Sequence, residues 1–326
     1  MNTMQHPDQA YAGAAPRDGV APTTYYNRPM LKPPDWDTSV IAYLFLGGVT
    51  GGLGIISMLA NPEREPEQRL RRTARFASLV LAAANPAVLI THLGRPERFL
   101  HMLRIVKLKS PMSVGTWGLV AYSGVAGANV MRELAEMDVL PRWVRYLVPG
   151  FLTQLHALAG SYLAGYTGVL LSATANPMWS AGKRHIPAAC VCSGLSSACA
   201  LMSLLSTFEG NHEAVPKVER LEMVSSLAEL LLLKDFQRTG GDYAKPMFEG
   251  RPGERLRTYT IVAGIAVPMA LNVLGQIVKL PKPVDAVRTT AASLLTLLGG
   301  YIFRETLVEG GKDAVRDPRT AFKQPK

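Results

Sequence analysis

Cysteine is nearly missing from these 326 residues: three occur, Cys190, Cys192 and Cys199, all within one apolar run. They form no C-x-x-C array, and clusters or structural zinc need several thiolate or imidazole ligands at close spacing. An iron–sulfur cluster or metal site is therefore not expected in this chain, and the three thiols read as small packed hydrophobes. Paired deep histidines are missing too. His92, His101, His185 and His212 fall at the ends of apolar runs or between them, so His156 has no partner at its depth and haem is not expected. Charge is scarce, at 18% of residues, against roughly a quarter in an average soluble domain. Residues 1–35 contain no apolar core of the kind a cleavable export signal needs, and read as a flexible polar tail. A soluble basic domain is also lacking. The net charge of +10 is spread through short connections such as "REPEQRLRR", which argues against nucleic-acid binding.

What the chain does have is long uncharged runs: Thr38–Pro62, Phe76–Gly94, Ser110–Met131, Tyr146–Gly182, His185–Phe208 and Thr258–Val278. Each approaches or exceeds the roughly 20 residues a helix needs to cross a bilayer. Two weaker segments, Leu221–Leu233 with Glu229 inside it and Thr289–Phe303, bring the count to eight. Backbone groups in lipid must be satisfied within the segment, so the runs are expected to be helices. The predicted fold is all-α: a polytopic membrane helical bundle of about eight transmembrane helices over residues 36–308, followed by a polar tail over 309–326. Of the lysines and arginines, 22 fall in the tails and even-numbered loops and 13 in the odd-numbered ones, which favours cytoplasmic termini. Leu232–Leu256 is read as the longest polar connection.

The first run contains "GGVTGGLGIIS", residues 47–57, whose Gly52-x-Gly54-x-x-Ser57 approaches a dinucleotide-binding fingerprint. That fingerprint requires a preceding β-strand and a soluble βαβ unit, and neither surrounds it. At helical spacing, Gly47 with Gly51 and Gly48 with Gly52 make a flat side on which a neighbouring helix is expected to pack closely.

Few groups inside the runs can carry chemistry. Glu229 is either a carboxyl that snorkels or pairs with an arginine, or a proton-relay or quinone-site group. His156 faces the same choice between structure and function. Tyr162 and Tyr166 are one turn apart; a phenol can serve as aromatic packing or donate to a quinone carbonyl. Asp37, beside Trp36, is either a helix N-cap or the polar wall of a headgroup site. In "THLGRPERF", residues 91–99, Arg95, Glu97 and Arg98 crowd a helix end and can meet lipid phosphate or an acidic partner.

"YLFLGGVTGGLG", "HLGRPERFLHML", "SPMSVGTWGL", "YTGVLL" and "GIAVP" occur in the order found in the NrfD family, and the chain resembles that family from about Tyr25 to Phe322. The "LGRPERF" and "SPMSVGTW" blocks are the specific ones. The resemblance implies an eight-helix subunit of the bacterial cytoplasmic membrane, without haem, binding a quinone or quinol of the menaquinone or ubiquinone type near one surface. It also implies electron exchange with a separate four-cluster, ferredoxin-like iron–sulfur subunit, which often serves a molybdopterin subunit or multihaem cytochromes. Some relatives have been proposed to move protons. Carried over by position, His92 precedes the Leu-Gly-Arg-Pro motif and Tyr166 heads the "YTG" block; these two are the chosen quinone or proton-transfer residues, with Glu229, Asp37 and Tyr43 beside them. A passive anchor for the iron–sulfur protein and a non-redox transporter are the competing functions.

Overall fold

The computed structural model describes residues 31–92, His101 and residues 103–316; of Thr91 and His92 it describes the backbone alone. Eight long helical segments make up most of these residues: α1 Thr38–Leu59, α2 Glu65–His92, α3 Pro111–Glu136, α4 Leu152–Ser172, α5 Ile186–Phe208, α6 Val215–Thr239, α7 Gly250–Ile277 and α8 Lys282–Arg316. The 22 residues of α1 span about 33 Å at 1.5 Å per residue, enough to cross the hydrocarbon layer. Five of the eight, α1, α2, α5, α7 and α8, are long and apolar enough by composition to be membrane spans. The lower apolarity of α6 has a cause. Its inward face carries Glu219, Glu222, Ser225, Ser226 and Glu229, all buried.

Local signals start the helices where the chain needs them. Asp37 caps α1, accepting from the backbone N–H groups of Ser39 and Val40 at 3.0 and 3.2 Å. Proline occupies the first turn of α3, α5 and α6, where its missing N–H costs nothing. In α7 the middle, Leu256–Ala266, is widened into π-helical turns ahead of Pro268.

Short connections make neighbours antiparallel, so α1–α4 pack as one four-helix group and α5–α8 as a second. α1 joins them, lying against α2 and α4 on one side and α5 and α8 on the other. An even number of crossings returns the chain to the end where α1 begins, here called the entry end. There Lys312 near the end of α8 donates to the Trp36 carbonyl at 2.8 Å, and Trp36 stacks on Trp179 at 5.4 Å.

Three boundaries differ from the sequence expectation. The run Tyr146–Gly182 is broken, because the backbone turns at Pro149 and Gly150 and again at Asn176, which caps the short helix Pro177–Ala181. The supposed polar connection Leu232–Leu256 is mostly helix. Lys234, Asp235 and Arg238 project from the last turns of α6 while Leu233 and Phe236 bury the other side, and α7 already begins at Gly250. Residues 309–316, expected to open a polar tail, are helical: α8 runs through Arg316, with Gly310 and Gly311 against Met178, Met247 and Trp179, and Ala314 and Val315 buried. Small residues on that face let the helix dock, which composition alone reads as polar. Residues 1–30 of the N-terminal tail and 317–326 lie outside the described residues.

Candidate functional site

The entry end brings together three of the tyrosines weighed above. Tyr166, buried on α4, donates its hydroxyl to the Pro111 carbonyl at 2.9 Å, and Tyr162, one turn earlier, donates to Val114 O at 3.1 Å. Their rings sit 6.0 Å apart, on Gly115 and Gly118 of α3. A Cβ on Gly115 would lie 1.9 Å from the Tyr166 ring, so the glycine is what admits the phenol. Tyr43 of α1 joins this group, within electrostatic range of both tyrosines. It packs against the cluster of Ala82, Leu119, Tyr122, Ala126 and Leu163, and against that of Val40, Ile41, Leu44 and Val308. Among the described residues its hydroxyl has no hydrogen-bond partner. Two phenols are thus committed to backbone carbonyls, and one is free to meet a ligand.

The other sequence candidates are placed differently. The carboxylate of Asp37 caps the helix. His92 ends α2 at the entry end, but its side chain is outside the described residues, as is the segment with Arg95, Glu97 and Arg98. Glu229 belongs to the second four-helix group. It is 2% exposed, and its Oε1 has no hydrogen-bond partner. Ser193 and Arg304 are the polar groups facing it. Arg304 is 1% exposed, donates to Cys190 O at 2.9 Å, and leaves Nε and Nη1 unpartnered. Burying two ionisable groups with bare polar atoms is costly in lipid, which marks this pair as functional or water-filled. Four more ionisable groups lie on the same seam: Arg288 pairs with Glu219 at 2.9 Å and with Asp285 at 2.7 Å, and Thr296 donates to Glu222 at 2.7 Å.

A family model described as "Polysulphide reductase, NrfD" matches residues 28–315. The chain belongs to the NrfD family. It is thereby an integral, polytopic helical membrane protein, and membership implies a membrane subunit of a polysulphide-reductase-type complex. Comparison with curated proteins returned no match.

The glycines of this NrfD chain lie where α1 meets its neighbours. A Cβ on Gly51 would be 2.2 Å from Gly160 O of α4, and one on Gly52 would be 2.7 Å from Gly194 O of α5. Gly48 faces Gly194 and the Arg304 guanidinium, while Gly47 looks at Asn85 Oδ1 across 3.8 Å. The flat side therefore receives two helices and not one, joining the two halves of the fold.

Several buried polar residues escaped the sequence reading. Arg75 and Glu133, 2.7 Å apart, are both fully buried between α2 and α3, with Arg72 and Thr153 completing the network. Each sits one or two residues beyond the end of an uncharged run, so a search for runs discards it. Arg304 falls just past Phe303 in the same way, and Glu222 was passed over although it lies inside the weak run of α6. His156 is wholly buried between Ser57 and Ser78, at 3.3 and 3.5 Å, with its ring beside Tyr122. That is the structural option for this histidine.

Proposed function

We propose that this NrfD protein is the quinone-interacting membrane subunit of a redox complex, exchanging electrons between membrane quinone and a separate four-cluster iron–sulfur subunit in the bacterial cytoplasmic membrane. The observation that carries the reading is the hydroxyl of Tyr43, which has no hydrogen-bond partner among the described residues although its ring packs on an apolar cluster that includes Ala82, Leu119 and Leu163 and lies near Tyr162 and Tyr166. A quinone headgroup is a flat ring with carbonyl acceptors at its edge, and a phenol in an apolar wall satisfies such an acceptor without a charge. When bound, the quinone supplies two-electron, two-proton redox chemistry. Tyr43 would orient the ring by donating to one carbonyl, and Tyr162 and Tyr166 would hold the walls. His92, whose backbone ends α2 at this end, is the proposed proton-transfer group. Glu229, with Glu222 and the serines of α6, would hold protons within the second group of helices. The partner would be a separate iron–sulfur protein that receives the electrons from, or delivers them to, the quinone.

A passive anchor is the second reading, favoured by the commitment of Tyr162 and Tyr166 to backbone carbonyls. Extraction of quinone from the purified complex separates the two. Tyr43→Phe is expected to weaken quinol affinity by roughly two- to tenfold, the worth of one neutral hydrogen bond, with assembly unchanged. Bound quinone absent from the complex, or quinol kinetics untouched in Tyr43→Phe, would overturn the quinone-site reading.

A further inference from the structure

The end of the bundle opposite the tyrosine group carries a cleft of about 710 Å³. Its walls are Gln68 from the first turns of α2, Arg132 and Glu136 from the last turn of α3, and Arg142, Arg145 and Tyr146 from the connection to α4. The connection is folded back by Asp138, whose φ of 58° is left-handed, and by Val139 and Leu140 N–H groups that both bond Leu134 O. Three arginines therefore converge on one hollow.

Their charges are unevenly satisfied. Glu136 is held by Arg132 and Arg71, both at 3.0 Å. Asp138 is held by Arg142 at 2.8 Å. Arg145 has no carboxylate within ion-pair distance among the described residues; it donates to the Tyr146 hydroxyl at 3.0 Å and lies 5.0 Å over the Tyr146 ring. The cleft thus holds three guanidinium groups against two carboxylates, with one fork open to an anion.

The surroundings are apolar and outward-facing. Trp143, Tyr146 and Leu147 of the short helical connection are 60%, 74% and 70% exposed, which in a membrane protein places them at the bilayer interface. Phe151, Leu155 and Leu158 follow at i, i+4 and i+7, exposed along one side of α4 as it enters the bilayer. A basic cleft at headgroup level, continued by an aliphatic stripe at acyl-chain depth, has the profile of one molecule with an anionic head and apolar tails.

We propose that this cleft is a binding site for the phosphate headgroup of an anionic phospholipid, with the open guanidinium of Arg145 as the principal phosphate donor, Arg142 adding the edge that Asp138 leaves free, and the Phe151–Leu155–Leu158 stripe receiving an acyl chain. Guanidinium forks suit phosphate oxygens geometrically. Arg132 holds the connection in place by donating to Val148 O at 2.9 Å and is a positioning residue.

The test uses the full-length protein in a neutral detergent, with thermal unfolding followed as phosphatidylglycerol, phosphatidylcholine or glycerol 3-phosphate is titrated in. Phosphatidylglycerol is expected to raise the melting temperature at low molar ratio, and the other two to be without effect at the same ratio. Arg142→Gln with Arg145→Gln, both exposed and so tolerated by the fold, is expected to raise the phosphatidylglycerol midpoint roughly tenfold or more. Arg64→Gln, at the same end but outside the cleft, serves as the control and should leave the midpoint where it is. Equal protection by phosphatidylcholine, by glycerol 3-phosphate or in the doubly substituted protein overturns the lipid site. A protein partner as the true occupant would show itself as failure of phosphatidylglycerol together with loss of complex assembly in the double variant, and it too overturns the proposal.

Discussion

Gly51→Ala adds a single methyl group at the tightest point of the α1–α4 contact. Its Cβ would stand 2.2 Å from Gly160 O, 2.8 Å from Ala164 N and 3.1 Å from Ala164 Cβ. The first two of those atoms are backbone, so no rotamer change relieves the clash. An ordinary contact begins near 3.4 Å, so the two helices must separate by about 1 Å. A gap of that size forfeits a quarter to a half of each dispersion contact along the seam. Overpacking of this kind costs about 1–3 kcal/mol, and a backbone-to-backbone clash belongs at the upper limit. At roughly 2–4 °C per kcal/mol for a chain of this size, the melting temperature should fall by about 6–12 °C. Gly47→Ala is the internal control, because its Cβ would meet Asn85 Oδ1 at 3.8 Å, an ordinary contact. The assay is intrinsic fluorescence during heating of the detergent-solubilised protein, with size-exclusion chromatography to exclude aggregation. If Gly51→Ala melts with the wild type, or Gly47→Ala falls as far, close approach at this glycine is not what joins α1 to α4.

Glu133→Gln should be severely destabilising, because Arg75 would remain buried with its partner's charge removed; breaking a buried pair costs about 3–5 kcal/mol. Replacing both members, Arg75→Met with Glu133→Leu, should recover much of that loss, and chemical denaturation of the three proteins reads the difference. Truncation after Val308 removes the bonds from Asn176 Nδ2 to Gly311 O and from Lys312 to Trp36 O, and exposes Trp179. At about 1 kcal/mol per hydrogen bond the melting temperature should drop by roughly 4–8 °C, whereas truncation of a solvated tail would not move it.

The positions of the long helices were legible because water-to-lipid transfer forbids charge over a whole segment, and that constraint is written in consecutive residues. It fails where charges are shared. α6 carries three glutamates along its buried face and still packs, since Arg288, Thr296 and Arg304 of α8 stand opposite them; those partners lie some 70 positions away in the chain. The same holds for Arg75 and Glu133. The end of α8 shows the converse error. "VEGGKDAVR" reads as polar, yet its glycines and small residues form a face on which Trp179 fits, while Lys312 pairs with Glu309 and reaches the Trp36 carbonyl and Arg316 pairs with Asp313.

The candidate site divides in the same manner. A tyrosine pair at one-turn spacing on α4 could be seen in the sequence, and so could the helix-capping role open to Asp37, because both are local geometry. Which phenol was left free could not. Tyr166 had the better motif, but Gly115 admits its ring onto α3 and the Pro111 carbonyl accepts its hydrogen bond, while Tyr43 on the neighbouring α1 keeps its donor.

The sequence by itself determined that this chain is a helical membrane protein, where most of its helices lie, and that α1 has a side stripped of side chains. Those features follow from the cost of placing charge or bulk at given positions of a single helix. Only the tertiary structure decided that two helices share the stripped side, that the acidic face of α6 meets cations of α8, and which hydroxyls and guanidinium groups remain without partners. Pairing is a property of surfaces brought together by packing, and the residues that form one surface here are separated by up to 276 positions along the chain.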